Sequence, residues 1–307
     1  MGHSGESLSP FCNLDLPDIN SQYTRYFMTP IGIFDSGFGG LSIFREIQHL
    51  LPQYDYIFLG DNARAPYGDR SFQEVFDFTY QAVGRLFDMG CPLVILACNT
   101  ASAKALRNIQ QNELPHMADP TRRVLGVIRP TVERVANLTY SRHIGLVATR
   151  ATVSSESYNM ELSHTFQQNP ITLTSRACPR WVPLIESGQL HSEALYQEVK
   201  SDLSALLQED PEIDTIILGC THYPLITSLI QQVLQELDHP EIILMPQGKP
   251  VSYALRDYLF RHPEMEQRLT QDGHTQFYTT GDIASFEHLA SLFLRRGQQI
   301  QAEQLHF

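Results

Sequence analysis

The chain has 307 residues and a formal net charge of −12, long enough to bury two separate cores. The acidic balance, without any Lys/Arg-rich run, argues against nucleic acid or an anionic membrane surface as the main partner. No apolar stretch approaches the ~20 residues that a membrane-spanning helix needs.

Residues 1–30 are polar and irregular, and they read as an extension outside the fold. They lack a cationic segment followed by an apolar core, so no signal peptide is expected. Ile31 to Phe34 reads as the first strand. It runs into Asp35-Ser36-Gly37-Phe38-Gly39-Gly40, and a helix begins near Leu41. The glycines suit a sharp turn close to a ligand. They form neither a dinucleotide fingerprint, since Ser42 stands where the third glycine belongs, nor a phosphate loop, since the Lys-Ser/Thr ending is missing. Asp35 is a candidate base or ammonium partner; equally, it is a candidate helix N-cap.

Tyr56 to Leu59 is the second expected strand, followed by the ten-residue loop from Gly60 to Asp69, long enough to suggest binding. Ser71 and Glu74 make a capping box for a helix running to about Met89. Leu93 to Leu96 is the third strand, then comes Cys98, with helical spacing from Ala101 to Gln110. Val124 to Ile128 is a strand, and Pro130 opens a helix. His143 to Thr149 repeats the logic of the first strand, with the hydroxyl-rich loop from Arg150 to Ser155 behind it. Ile171 to Ser175 is a short strand, Trp181 to Glu186 a short helix, and 191–208 a helix with Leu195, Val199, Leu203 and Leu206 at helical spacing. Thr215 to Leu218 is a strand ending at Cys220, with a helix from Pro224 to Glu236. Glu241 to Met245 is the last clear strand. A helix from about Val251 to Phe260 follows, and Asp282 precedes a C-terminal helix.

Two stretches match each other, Val94-Ile95-Leu96-Ala97-Cys98-Asn99-Thr100 and Ile216-Ile217-Leu218-Gly219-Cys220-Thr221-His222. In each, an apolar run reads as a buried parallel strand feeding a helix. Each cysteine therefore stands at a strand's carboxyl end and just before a helix N-terminus. Open α/β sheets bind ligands there, and the helix end favours a thiolate or holds a carboxylate. The expected fold is α/β, with two pseudo-symmetric lobes, each a mostly parallel sheet flanked by helices, and the active site in the cleft between them. Expected boundaries are 1–30 for the extension, 31–123 with 242–307 for the first lobe, and 124–241 for the second. The tail after Glu241 has too few strands for its own core, so it is expected to return to the first lobe. The five cysteines (Cys12, Cys91, Cys98, Cys178 and Cys220) are odd in number, and none forms a CxxC pair. This fits a reducing cytoplasm rather than a disulfide scaffold or a structural zinc site. Cys12, Cys91 and Cys178 read as packing or surface residues.

The turn at Asp35 to Gly40, Pro66-Tyr67-Gly68, Ala97 to Ala101, and Leu218 to Pro224 resemble, in order and spacing, the successive motifs of glutamate racemase. That family belongs to the cofactor-independent aspartate/glutamate racemases. Ala148 to Val153 and Ala177 to Glu186 are similar too, so the resemblance covers about Ile31 to Asp282. One departure is Met245 to Lys249, where a small Asp-Ser-Gly-like turn belongs. The resemblance implies interconversion of L- and D-glutamate without cofactor or metal, supplying D-glutamate for peptidoglycan. By the resemblance, Cys98 is expected to abstract the Cα proton of D-glutamate and Cys220 that of L-glutamate. The resemblance also implies that Asp35 and His222 assist the two thiols and that Glu186 orients His222. For this, one thiol pKa must fall from ~8.5, which a helix N-terminus favours. Ser36, Asn99, Thr100 and Thr221 resemble the partners of the substrate carboxylate. Pro66, Tyr67 and Gly68 serve the side-chain end, with Thr149 and Thr152 nearby. The resemblance also admits a nucleotide-linked muramyl precursor as activator, and a homodimer.

Three alternatives stand beside it. A sibling aspartate racemase or related decarboxylase would share the thiols, but His222 and the Pro66-Tyr67-Gly68 loop favour glutamate. A non-catalytic amino-acid-binding protein would not need paired thiols. A thiol redox enzyme would carry CxxC.

Overall fold

The computed structural model describes residues 29–294 and 300–307. The expected extension, with Cys12, lies outside the described residues except for Thr29 and Pro30. The Thr29 carbonyl accepts a bond from Thr270 N–H at 3.2 Å.

Ten strands form two sheets: β1 Ile31–Asp35, β2 Tyr56–Gly60, β3 Leu93–Leu96, β4 Arg123–Gly126, β5 His143–Ala148, β6 Thr172–Ala177, β7 Thr215–Gly219, β8 Ile243–Met245, β9 Thr275–Thr279 and β10 Ala302–Gln304. The first sheet has the order β10-β9-β2-β1-β3-β4 and the second β6-β5-β7-β8. Every described pairing is parallel. β1, β2, β3 and β7 are buried throughout, as unbroken apolar runs require when helices cover both faces. Within the first sheet, β2-β1-β3-β4 repeats the winding of β6-β5-β7-β8. The third strand of each unit leads to a cysteine, Cys98 after β3 and Cys220 after β7. The pseudo-symmetry expected from the two matching stretches is therefore a repeat of topology.

Both expected lobe boundaries fall one strand early. The segment at Val124, assigned to the second lobe, is β4 and pairs with β3. The strand ending at Met245, whose end was assigned to the first lobe, is β8 and pairs with β7. The reason is the crossover rule: helical chain running back along a sheet delivers the next strand beside the last one. The tail does return to the first sheet, through β9 and β10, two strands that sequence reading missed.

The helices that matter for the site are α1 Leu41–Leu50, α2 Phe72–Asp88, α3 Asn99–Lys104, α4 Ile128–Val135, α5 Arg150–Ser154, α6 Ser157–Thr165, α7 Trp181–Glu186, α8 Glu193–Glu209, α9 Thr227–Glu236, α10 Gly248–Arg261 and α11 Ile283–Ala290. Side chains alternate along β1: Ile31 and Ile33 meet Leu41, Phe44 and Leu255 of α1 and α10, while Phe34 meets Val83 and Leu86 of α2 on the other face. In the second lobe Ile216 and Leu218 pack on α8 and α9, and Ile144, Leu146 and Ile217 on α4 and α6. Each such side chain contributes about 1.5–3 kcal/mol. The Ser71–Glu74 capping box forms as expected. The helix after Cys98 is interrupted at Ala105 (φ −115°) and then continues through Leu106–Asn108 into a π-helical turn, Ile109–Glu113. Pro224 opens a 3₁₀ turn, Tyr223–Ile226, ahead of α9. No helix among the described residues is long and apolar enough to cross a membrane.

Candidate active site

Cys98 is the N-cap of α3. Its sulfur accepts from Ala101 N–H at 3.4 Å, and its thiol reaches Ser36 Oγ at 3.4 Å. Both contacts favour a thiolate, yet the net effect is opposite to the expectation. Burial, followed by the charge of Asp35, pushes the thiol up to about 12, outweighing the Ser36 and Ala101 bonds. A helix N-terminus alone therefore does not activate this cysteine.

Asp35 is fully buried behind Ser36. Its Oδ2 accepts from Gly37 N–H at 2.9 Å, while Oδ1 has no hydrogen-bond partner. The N-cap of α1 is Gly40, so the capping alternative for Asp35 fails. Burial raises its pKa, against the opposing charge of His222.

Cys220 follows β7 and is nearly buried. Its Sγ lies 3.7 Å from His222 Nδ1. The other ring nitrogen stands 3.1 Å from Glu186 Oε1, an ion-pair distance off the line of a hydrogen bond. Burial pulls the His222 pKa down, but contacts with Cys220 and Glu186 outweigh it and carry the imidazole to about 10. Glu186 reaches this place because α7 is anchored at its start. Trp181 Nε1 donates to Asp202 Oδ2 at 3.0 Å and packs on Tyr223 at 4.7 Å between ring centroids, and Arg176 holds Oδ1 of Asp202 at 2.9 Å.

The lobes meet closely around the thiols. Ser42 Oγ donates to the Thr221 carbonyl at 2.9 Å, and Ala151 N–H to the Gly68 carbonyl at 3.0 Å. Phe38 meets the His222 ring edge-on at 5.2 Å. Gly39 lies so close to the second lobe that a Cβ there would sit 2.5 Å from Thr221 Oγ1 and 2.6 Å from His222 Nδ1. The glycine motif thus serves close approach between lobes.

Cys98 and Cys220 line one cavity, with Ser36, Pro66, Tyr67, Gly68, Asn99, Thr100, Thr149, Glu186, Thr221 and His222. Its volume is about 40 Å³, room for roughly three ordered waters. Asp35 and Thr152 stand behind the wall. Thr149 caps α5, and its hydroxyl lies 3.1 Å from both Thr100 Oγ1 and Thr152 Oγ1, closing a hydroxyl triangle across the lobes. The Tyr67 hydroxyl is committed to Asp61, so it leaves its ring and backbone to the cavity. Asp61 also accepts from Arg64 Nε at 2.7 Å and Thr280 Oγ1 at 2.8 Å, pinning the loop.

Sequence reading missed several contributors. Cys178, Pro179, Val182 and Pro183 form an apolar part of the wall, and Arg150 pairs with Asp69 at the mouth at 3.5 Å. Asp61, like Asp35, directly follows or ends a strand and precedes a long loop, a signal that could have exposed it. Gln247 and Tyr158 clasp the Asn99 side chain from beneath.

The sequence matches the family model of Asp/Glu/hydantoin racemases over residues 31–243. A glutamate racemase of Roseobacter denitrificans is 40% identical over 283 residues, spanning 89% of this chain and 99% of that one. One of Dinoroseobacter shibae is 39% identical, over 89% and 98%. A solved glutamate racemase isoform of Bacillus anthracis superposes with a TM-score of 0.79 at 32% identity, covering 91% of this chain and 98% of that chain. A Francisella tularensis glutamate racemase, solved with D-glutamate, gives 0.77 at 32%, over 91% and 97%. The Escherichia coli enzyme, solved with L-glutamate and the activator UDP-MurNAc-ala, gives 0.67 at 25%, over 90% and 97%.

Proposed function

Because this chain belongs to the Asp/Glu/hydantoin racemase family and to the glutamate racemases within it, we propose that it interconverts L- and D-glutamate by two-base proton transfer at Cα. One observation carries the reading. Two identically wound sheets each deliver a cysteine from the third strand of the unit, and both face one cavity. Inversion at carbon needs a base on one face and an acid on the other, and opposed thiols supply both.

In the direction from D-glutamate, the Cys98 thiolate takes the Cα proton and the Cys220 thiol returns one from the opposite face. From L-glutamate the roles exchange. The substrate ammonium brings the positive charge that Cys98 lacks, opposing the burial and Asp35 effects that hold its proton. A protonated His222 presents an N–H toward the Cys220 sulfur and supports negative charge there, with Glu186 behind it. Backbone N–H groups at the start of α3, with Thr100 and Thr221, are suited to the α-carboxylate. The Pro66-Tyr67-Gly68 backbone serves the side-chain end. The product D-glutamate suits cell-wall peptidoglycan synthesis, in a cytoplasm that keeps both thiols reduced.

The test is circular dichroism of L-glutamate, D-glutamate and both aspartates with purified enzyme, after dialysis against a chelator and hydroxylamine. Loss of ellipticity with both glutamates and neither aspartate is expected. Activity that vanishes on dialysis and returns with pyridoxal phosphate or zinc overturns the two-thiol reading, and preference for aspartate overturns the substrate.

A second cavity favours a regulatory reading. It measures about 700 Å³, lies between α4, α6 and α10, and carries Arg107, Arg129 and Arg261 beside Tyr258. Cations beside an aromatic ring suit an anionic nucleotide-linked muramyl precursor. Titration with UDP-MurNAc-alanine should raise kcat in the wild type, and an Arg107→Ala/Arg261→Ala double variant should lose the response. No response in the wild type removes this reading.

A further inference from the structure

We propose that Gln247 is a positioning residue for the reaction, fixing Asn99, and with it the start of α3 that carries Cys98, against the second lobe. The inference rests on the racemase reading above. Gln247 lies between β8 and α10, where the chain crosses back to the first lobe. Asn99, Thr131, Tyr158 and Gln247 are all at most 3% exposed. Asn99 comes from the first lobe, Thr131 from α4 and Tyr158 from α6.

The hydrogen bonds of this group have only one consistent direction. Thr131 Oγ1 donates to the Val127 carbonyl at 2.6 Å, so toward its neighbours it can only accept. Gln247 Nε2 supplies that bond at 2.9 Å. Tyr158 OH donates to Asn99 Oδ1 at 2.8 Å, so it too accepts from Gln247 Nε2, at 2.7 Å. Both amide hydrogens are thereby engaged, one of them shared with Asn99 Oδ1 at 3.2 Å, and Gln247 Oε1 must face Asn99, taking its Nδ2 at 2.5 Å. Neither amide can flip without setting oxygen against oxygen. Asn99 is locked at both ends of its side chain, so its carboxamide is already committed to Gln247 and Tyr158. Since Asn99 is the first residue of α3 and follows Cys98 directly, the lock sets where the thiol stands relative to Cys220. A position that must donate twice and accept once, in a buried site, calls for a carboxamide; a carboxylate of the same size has no donor to give.

Two variants test this: Gln247→Glu, which keeps size and removes the donors, and Thr131→Val, nearly isosteric, which removes one acceptor and frees the amide. Racemase kcat/KM is expected to fall roughly 100-fold in the first and about tenfold in the second, mainly in kcat, as a misplaced reacting group costs rate. The informative readout is the primary isotope effect with glutamate deuterated at Cα. It should rise with the D-enantiomer, whose proton Cys98 removes, and fall with the L-enantiomer. Gln247→Glu should recover part of its activity toward acid pH, where the protonated carboxyl regains one donor. If Gln247→Glu does not fold, Thr131→Val decides alone. Folded variants within twofold of wild type, or isotope effects that are unchanged or move together, overturn the inference. A wild type that does not racemise glutamate overturns the function it rests on, and the inference falls with it.

Discussion

The two thiol sites have the same place in the topology and different surroundings. In the first lobe, Cys98 has a hydroxyl, a backbone N–H and a buried carboxyl nearby. In the second, Cys220 has an imidazole at 3.7 Å that is itself backed by Glu186. One site withholds charge from the sulfur and the other brings it. The difference teaches that strand order supplied the opposed geometry, while the residues added at each strand end set which groups surround each sulfur.

The largest effects should come from removing either sulfur. Cys98→Ser and Cys220→Ser should each lower racemisation on the order of 10³-fold or more in both directions. Elimination of HX from a β-substituted analogue needs a single abstraction. Cys98→Ser should lose it with the D-analogue and Cys220→Ser with the L-analogue. Loss of the same enantiomer by both variants would mean that the thiols do not flank Cα.

Next come the neighbours. Asp35→Asn and His222→Asn should each lower kcat by about 10–100-fold, with opposite enantiomer preference in the elimination assay. Identical profiles would erase the distinction between the lobes.

Titration sharpens it further. The folded His222 pKa, about 10, lies above its ordinary 6.5. Its contribution to stability is therefore complete below pH ~6.5 and is lost as pH rises through about 10. In urea unfolding, the advantage of wild type over His222→Asn should shrink across that window, and an advantage that grows with pH contradicts the assignment. The Cys98 thiol, held up to about 12 against an ordinary value of 9.0, has the same sign at higher pH: the advantage of wild type over Cys98→Ser should stay level to about pH 9 and shrink only above it.

Gly39→Ala tests the seam between the sites. A Cβ 2.5 Å from Thr221 Oγ1 forces the lobes apart, at about 1–3 kcal/mol of stability, readable as a lowered Tm and a raised KM. The smallest effect belongs to the mouth. Arg150 and Asp69 are well exposed, so Asp69→Asn should change kcat/KM by less than about 1 kcal/mol equivalent, and less still in high salt.

Much of this arrangement was legible in the sequence because it follows from local pattern. Apolar runs ending at Cys98 and Cys220 gave strands and strand ends, and the repeated context gave two lobes. What was illegible depends on partners that no local pattern specifies. Whether Val124 or Met245 joins one sheet or the other is decided by the crossover, not by the strand. β10 is short and polar at an edge, with little periodicity to find. The Cys98 pKa depends on burial that no motif reveals, and the Tyr67 hydroxyl on an acid six residues earlier. Gln247 was visible only as a departure from an expected turn; its partners Asn99, Thr131 and Tyr158 come from three helices.

The unequal surroundings of the two cysteines meet a thermodynamic limit. L- and D-glutamate are mirror images with equal free energy in water, so the equilibrium constant of their interconversion is unity. Whatever His222 does for one face and Asp35 withholds from the other, kcat/KM must come out the same in both directions. The asymmetry of the protein can then appear only in how kcat and KM divide that common ratio. An enantiomer bound more tightly must turn over proportionally more slowly, and the enzyme can be lopsided in occupancy while remaining even-handed in outcome.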